Sequence, residues 1–95
     1  VVNNSVLGMV YQWQTSFYGK RYSNTDPHRK TDFVKLAEAF GAKGLRCDTL
    51  AGFEACMKEA LATEGPVLID ARIDKEERVL PFIPGGETVR NVIID

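Results

Sequence analysis

The chain has 95 residues, 44 % of them hydrophobic and 26 % charged, a composition that fits one small globular unit. Twelve basic residues against thirteen acidic ones leave a net charge of −1, so neither a nucleic-acid footprint nor a polyacidic tail is present. No apolar run approaches the roughly 18 residues of a membrane-spanning helix. The two cysteines, Cys47 and Cys56, match no metal-binding spacing and read as small buried hydrophobes of a reducing compartment.

Val1 to Asn3 reads as the end of a buried strand, followed at once by the second of two adjacent amides, Asn3 and Asn4. An Asn carbonyl oxygen is a hard, neutral ligand suited to Mg²⁺, although Asn-Asn also serves as plain turn punctuation. Val6 to Phe17 then predicts a helix with Val6, Met9, Val10, Trp13 and Phe17 on one face. Such a stripe is either core or the wall of a cofactor pocket, and periodicity does not separate the two. Tyr18 to Lys30 is a polar connection containing Gly19, Asn24 and Asp26-Pro27. Its length exceeds the usual loop of about 4–6 residues, which points to a functional or mobile loop. His28, alone in that loop, is expected to be solvated.

The next helix is expected from about Asp32 to Phe40, with Thr31 or Asp32 as cap, Phe33, Leu36, Ala37 and Phe40 inward, and Gly41 at its end. Gly44 to Cys47 reads as a short strand. A further helix is predicted from Leu50 to Thr63, capped by Asp48 or Thr49, with Leu50, Phe53, Met57 and Leu61 inward and Glu54 paired to Lys58. Gly65-Pro66 stops it. Val67-Leu68-Ile69 opens a doubly covered strand that runs to about Ile73, and Asp74 to Arg78 follows as a charged surface turn. From Pro81 the chain reads as an irregular arm, with room for a final strand at Val92 to Ile94. This alternation predicts an α/β fold: three layers, a mainly parallel sheet with flanking helices, joined by right-handed crossovers. Ligands of such sheets lie at the carboxyl ends of the strands, where Asn3 and Asn4 fall.

Asn3 to Tyr22, NNSVLGMVYQWQTSFYGKRY, resembles the end of the thiamine-diphosphate motif and the segment after it in the catalytic large subunit of the acetohydroxyacid synthase (acetolactate synthase) family. Asp32 to Arg46, Gly65 to Asp70 and, more loosely, Val79 to Pro84 extend the resemblance over essentially the whole chain. The family's motif opens with Gly-Asp-Gly and closes with the paired Asn. Only the closing half is present, so residues 1–95 are expected to be the C-terminal part of a thiamine-diphosphate-binding domain, inactive alone.

The resemblance implies that Asn4, through its side chain, and Val6, through its carbonyl, bind Mg²⁺ and so the diphosphate of thiamine diphosphate. The Asp of the opening half, a further metal ligand, has no counterpart here. It also implies that Met9 lines the cofactor, that Val10, Trp13 and Phe17 face substrate, and that no catalytic residue lies in this chain, because the cofactor is the nucleophile. The implied activity is condensation of pyruvate with a second 2-oxo acid, pyruvate or 2-oxobutanoate, with loss of CO₂, in branched-chain amino-acid biosynthesis. FAD bound outside this chain, a homodimer, a regulatory small subunit and a cytoplasmic location (plastid in a plant) follow in the same way, with no nucleic-acid or membrane partner. Two alternatives stay open: another thiamine-diphosphate-dependent carboligase or decarboxylase, and a non-catalytic α/β assembly module.

Overall fold

The computed structural model describes residues 1–28 and 31–95, so the last two positions of the predicted Tyr18–Lys30 loop lie outside the described residues. The elements are β1 (Val2–Asn3), α1 (Gly8–Phe17), α2 (Phe33–Ala39), β2 (Lys43–Cys47), α3 (Leu50–Ala62) and β3 (Val67–Arg72). The three strands form one parallel sheet in the order β1–β3–β2. This is the α/β class that the alternation of elements predicts. Two of the expected caps form. Asp32 accepts the Val34 and Lys35 amides at the start of α2, and Thr49 accepts the Gly52 amide at the start of α3. The Glu54–Lys58 pair also closes, at 3.0 Å on an exposed face.

Side-chain alternation along β2 explains the layering. Gly44 and Cys47 are an odd number of positions apart and therefore face opposite ways. α2 crosses the Gly44 face so closely that an added Cβ would lie 2.8 Å from the Val34 carbonyl oxygen. α3 lies on the other face, where a Cβ on Gly52 would come 3.3 Å from that of Cys47. Small residues thus set both helix–sheet distances. The expected inward stripes are corrected accordingly. Ala37 and Cys47 are buried, but Leu36, Phe53 and Met57 are more than a third exposed and Phe40, Leu50 and Leu61 more than four-fifths. Three strands make too narrow a floor to cover two helices. Cys56 is half-buried rather than core.

In place of a thick apolar core, one face of the sheet carries a charge cluster. Asp70, at the centre of β3, is completely buried. Register puts Arg46 beside it on β2, and Asn3 beside Arg72 on β1. Arg46 Nε donates to one Asp70 oxygen at 3.2 Å and Asn3 Nδ2 to the other at 2.9 Å, while Arg72 Nε stands 3.6 Å away. Arg46 also reaches the α2 cap, its second nitrogen 2.6 Å from Asp32 Oδ1. The guanidinium is held more firmly protonated by Asp70 first and Asp32 second. One carboxylate therefore ties together all three strands and, through Arg46, a helix.

α1 starts at Gly8, two residues later than the apolar stripe suggests, because Asn4 to Val6 form a turn. It does not pack on the sheet. Loops hold it instead, and the extents of 47 × 28 × 21 Å reflect that arrangement. The radius of gyration of 16.8 Å exceeds the roughly 12 Å of a compact domain of this length. The arm after β3 is irregular as expected. The strand expected at Val92 to Ile94 is reduced to one antiparallel bridge, Phe82 to Ile93, directly after a 3₁₀ turn at Val89–Asn91.

Gly44→Ala should cost about 1–3 kcal/mol by forcing α2 off the sheet, read as a lower urea midpoint. An unchanged midpoint would mean that α2 does not cross at Gly44. A second expectation concerns acid. The Asp32 carboxyl is held below its ordinary 3.8, chiefly by the Lys35 amide, with burial opposing and Arg46 assisting. A depressed folded value contributes stability above the unfolded value and loses it as pH falls through the folded one. Wild type should therefore lose stability below about pH 4, and Asp32→Asn should flatten that slope. Parallel acid profiles would remove Asp32 from the account.

Candidate functional site

The segment after β1 begins with two interlocked Asx turns. Asn3 Oδ1 accepts the Ser5 amide at 3.0 Å and Asn4 Oδ1 accepts the Val6 amide at 3.3 Å. Between them Ser5 adopts a left-handed conformation, φ 62°. The turn sits at the carboxyl end of the sheet, beside the central strand. Gly8 completes it, because any Cβ there would collide with Nδ2 of Asn4. Among the described residues no amide donates to the Val6 carbonyl, which leaves that oxygen available.

No group of three or more His, Cys, Asp or Glu side chains among the described residues could hold a metal. What the turn offers is neutral oxygen: the Asn4 amide, with one lone pair uncommitted, and the Val6 carbonyl. Mg²⁺ takes such ligands alongside substrate phosphates and water, so the residues fit as part of an octahedral shell and not as a whole one.

A cavity of about 690 Å³ opens along α1, walled by Met9, Val10, Trp13 and Tyr18 and reaching Arg21. Of the residues singled out from the sequence, Met9, Val10 and Trp13 line it together. Phe17 does not. It packs against Trp13 with ring centroids 5.1 Å apart, and Phe82 from the arm meets Trp13 edge-on at 5.9 Å. Asn4 and Val6 stand in the turn at the other end of the segment, where Val6 lines a smaller cavity of about 160 Å³ with Asn3 and Phe33. The expected site residues therefore form two groups, polar ligands in the turn and an apolar wall on the helix, joined through Gly8.

The two glutamines around Trp13 supply what the sequence reading missed. Gln12, buried, donates to the Val79 carbonyl at 3.2 Å and accepts the Val79 amide at 2.8 Å. Gln14 donates to the Ser23 carbonyl and accepts from the hydroxyl of Thr25, itself almost wholly buried. One glutamine thus fixes the arm after β3 and the other fixes the loop after α1, with Trp13 held between them. The only sequence signal is an amide on each side of a tryptophan on the apolar stripe. Tyr11 adds a further tie. It stacks on Tyr22 at 4.3 Å and donates to Glu76 at 2.7 Å, so part of the expected surface turn Asp74–Arg78 is structural. Tyr22 and then Glu76 push the Tyr11 phenol well above its usual range. His28 is exposed, 3.3 Å from Asp26, as expected of a loop histidine.

Comparison with known proteins bears on this arrangement. Residues 1–71 match the family described as thiamine pyrophosphate enzyme, C-terminal TPP binding domain. Acetolactate synthase, mitochondrial, of Schizosaccharomyces pombe is 46 % identical over 95 residues, 99 % of this chain and 14 % of that protein. The acetolactate synthase catalytic subunit, mitochondrial, of Saccharomyces cerevisiae is 48 % identical over 86 residues, 90 % of this chain and 12 % of that protein. A probable acetolactate synthase large subunit of Methanocaldococcus jannaschii is 40 % identical over 93 residues, 98 % of this chain and 16 % of its own length. The chain thus spans only about one-seventh of the relatives it matches. The turn and most of the groove lie within the matched residues, and the chain belongs to the thiamine pyrophosphate enzymes, in the region of their C-terminal TPP-binding domain.

Proposed function

We propose that residues 1–95 are the C-terminal part of the thiamine-diphosphate-binding domain of an acetolactate synthase catalytic subunit. The parent enzyme condenses pyruvate with pyruvate or 2-oxobutanoate, with loss of CO₂, toward branched-chain amino acids. The extent of the likeness carries this reading. The general family match ends at residue 71, whereas likeness to the fission-yeast acetolactate synthase runs over 95 residues, through the arm that seats Phe82 on Trp13.

In this reading Asn4 Oδ1 and the Val6 carbonyl would hold Mg²⁺, with the remaining ligands from outside the chain. Thiamine diphosphate supplies the nucleophilic carbon and electron sink that no side chain here possesses. Met9 and Val10 present an apolar wall beside the cofactor and exclude water, which favours loss of charge from a 2-oxo acid. Trp13, braced by Phe17 and Phe82, contacts the second 2-oxo acid. FAD, the opening half of the diphosphate motif and the partner subunit of a homodimer belong to other parts of the parent enzyme. The words "catalytic subunit" in the budding-yeast name suit a regulatory small subunit as a further partner. A reducing compartment, cytoplasmic or organellar as in the yeast names, suits the free thiols of Cys47 and Cys56.

Trp13→Leu in the full-length enzyme should change the ratio of acceptor 2-oxo acids by about 10-fold or more, with the fold retained. A variant that unfolds while keeping its product ratio would make Trp13 plain core. The 95-residue chain assayed alone with pyruvate, Mg²⁺ and thiamine diphosphate should form no acetolactate, and turnover by it would contradict the assignment as part of a domain.

A further inference from the structure

Asn3, the first of the paired amides, bonds back to the central strand. Its Nδ2 donates to the wholly buried Asp70 at 2.9 Å, and its Oδ1 accepts the Ser5 amide at 3.0 Å. Such an amide works in one orientation only, and the cluster decides which. A carboxylate only accepts and a guanidinium only donates. Arg46 Nε occupies Asp70 Oδ2, so Asp70 Oδ1 faces Asn3 as a pure acceptor and draws the amide nitrogen toward it. The amide oxygen is thereby turned outward, where it receives the Ser5 amide and bends the chain into the left-handed Ser5 conformation that precedes Val6.

We infer that Asn3 and Asp70 are positioning residues for the metal–diphosphate turn: the buried carboxylate sets the orientation of the Asn3 amide, and that amide sets the presentation of the Asn4 side chain and Val6 carbonyl. This rests on the reading of Asn4 and Val6 as cation ligands given above. Neither Asn3 nor Asp70 touches the cation. With Asn at position 70, an amide nitrogen must face either Arg46 or the Asn3 nitrogen. One donor then meets another, and the Asn3 amide loses its fixed orientation. Asn3→Ala removes both bonds outright. Residues that orient a metal's ligands typically alter its affinity by about 10- to 100-fold.

The experiment uses the full-length enzyme, with Asn4→Ala as the reference for the ligand assignment and Asp32→Asn as the control. Asp32→Asn disturbs the same arginine from its other side and leaves Asn3 alone. Three quantities are measured: half-saturating Mg²⁺ at fixed thiamine diphosphate, turnover at saturating Mg²⁺, and hydrogen–deuterium exchange of the peptide covering residues 3–8 in cofactor-free enzyme. Asn3→Ala and Asp70→Asn should each raise half-saturating Mg²⁺ about 10- to 100-fold, restore most turnover at saturation, and speed exchange of the peptide. Asp32→Asn should do none of these. If Asn4→Ala raises the Mg²⁺ requirement while Asn3→Ala and Asp70→Asn leave it unchanged, the positioning role is wrong and the ligand assignment stands. If Asn4→Ala itself changes nothing, both fall. Should Asp70→Asn not fold, Asn3→Ala decides, because Asn3 sits at the half-buried edge of the cluster.

Discussion

The structure depends on a single buried carboxylate. Asp70 sits at the centre of a three-stranded sheet, fully excluded from water, with donors from β1 and β2 on its two oxygens. A buried charge is costly unless it is paired and fully hydrogen-bonded, and removing a partner exposes that cost. The parallel sheet cannot slip register without separating Asp70 from Arg46 and Asn3, since one step would turn each side chain to the opposite face. The cluster thus fixes register as well as joining strands, a role the thin apolar core could not fill. Buried ion pairs often add little net stability. Specifying one arrangement is the better account of its place here.

From that fixed sheet the site follows outward. β1 has only two residues, and they end in Asn3, whose amide links the cluster to the turn. The turn leads through Gly8 into α1, and α1 stands off the sheet because its ties are to loops and the arm rather than to strands. Gln12 and Gln14 make those ties with backbone groups on opposite sides of Trp13. The groove beside Trp13 is therefore walled by α1 and the loop that follows it, Tyr18 to Ser23, while the distant arm braces Trp13 through Phe82. The segment thus presents polar oxygens of the turn at one end and an apolar wall at the other. That division suits a cofactor whose diphosphate is clamped while its reactive ring meets varied substrates.

Much of this was legible in the sequence, for identifiable reasons. Helix starts at Asp32 and Thr49 carry short polar side chains that accept amides, and β3 announces itself as Val-Leu-Ile. The paired Asn at a strand end, followed by Gly-Met-Val, marked the turn and the helical wall. What failed was burial. A stripe such as Leu50, Phe53, Met57 and Leu61 predicts the face a helix would bury, but not whether a sheet wide enough to receive it is present. The hub at Asp70 was hidden for a different reason. A charge inside a strand carries no mark of what it pairs with, and only the register of three strands reveals its partners. Gln12 and Gln14 were equally silent, because side chains bonded to Val79, 67 residues away, and to the loop at Ser23 and Thr25 leave no helical or strand period.

The turn at Asn4 to Val6, tied to the Asp70 cluster through Asn3, is the part of the chain proposed to meet the metal and diphosphate. The most direct test of that role is a crystal structure of the full-length enzyme with thiamine diphosphate and Mn²⁺ in place of Mg²⁺, the ion located by its anomalous signal. The account predicts one ion about 2.0–2.3 Å from both Asn4 Oδ1 and the Val6 carbonyl oxygen, with the Asn3 amide still bonded to Asp70. An ion bound to the diphosphate but out of reach of Asn4 and Val6 would contradict it.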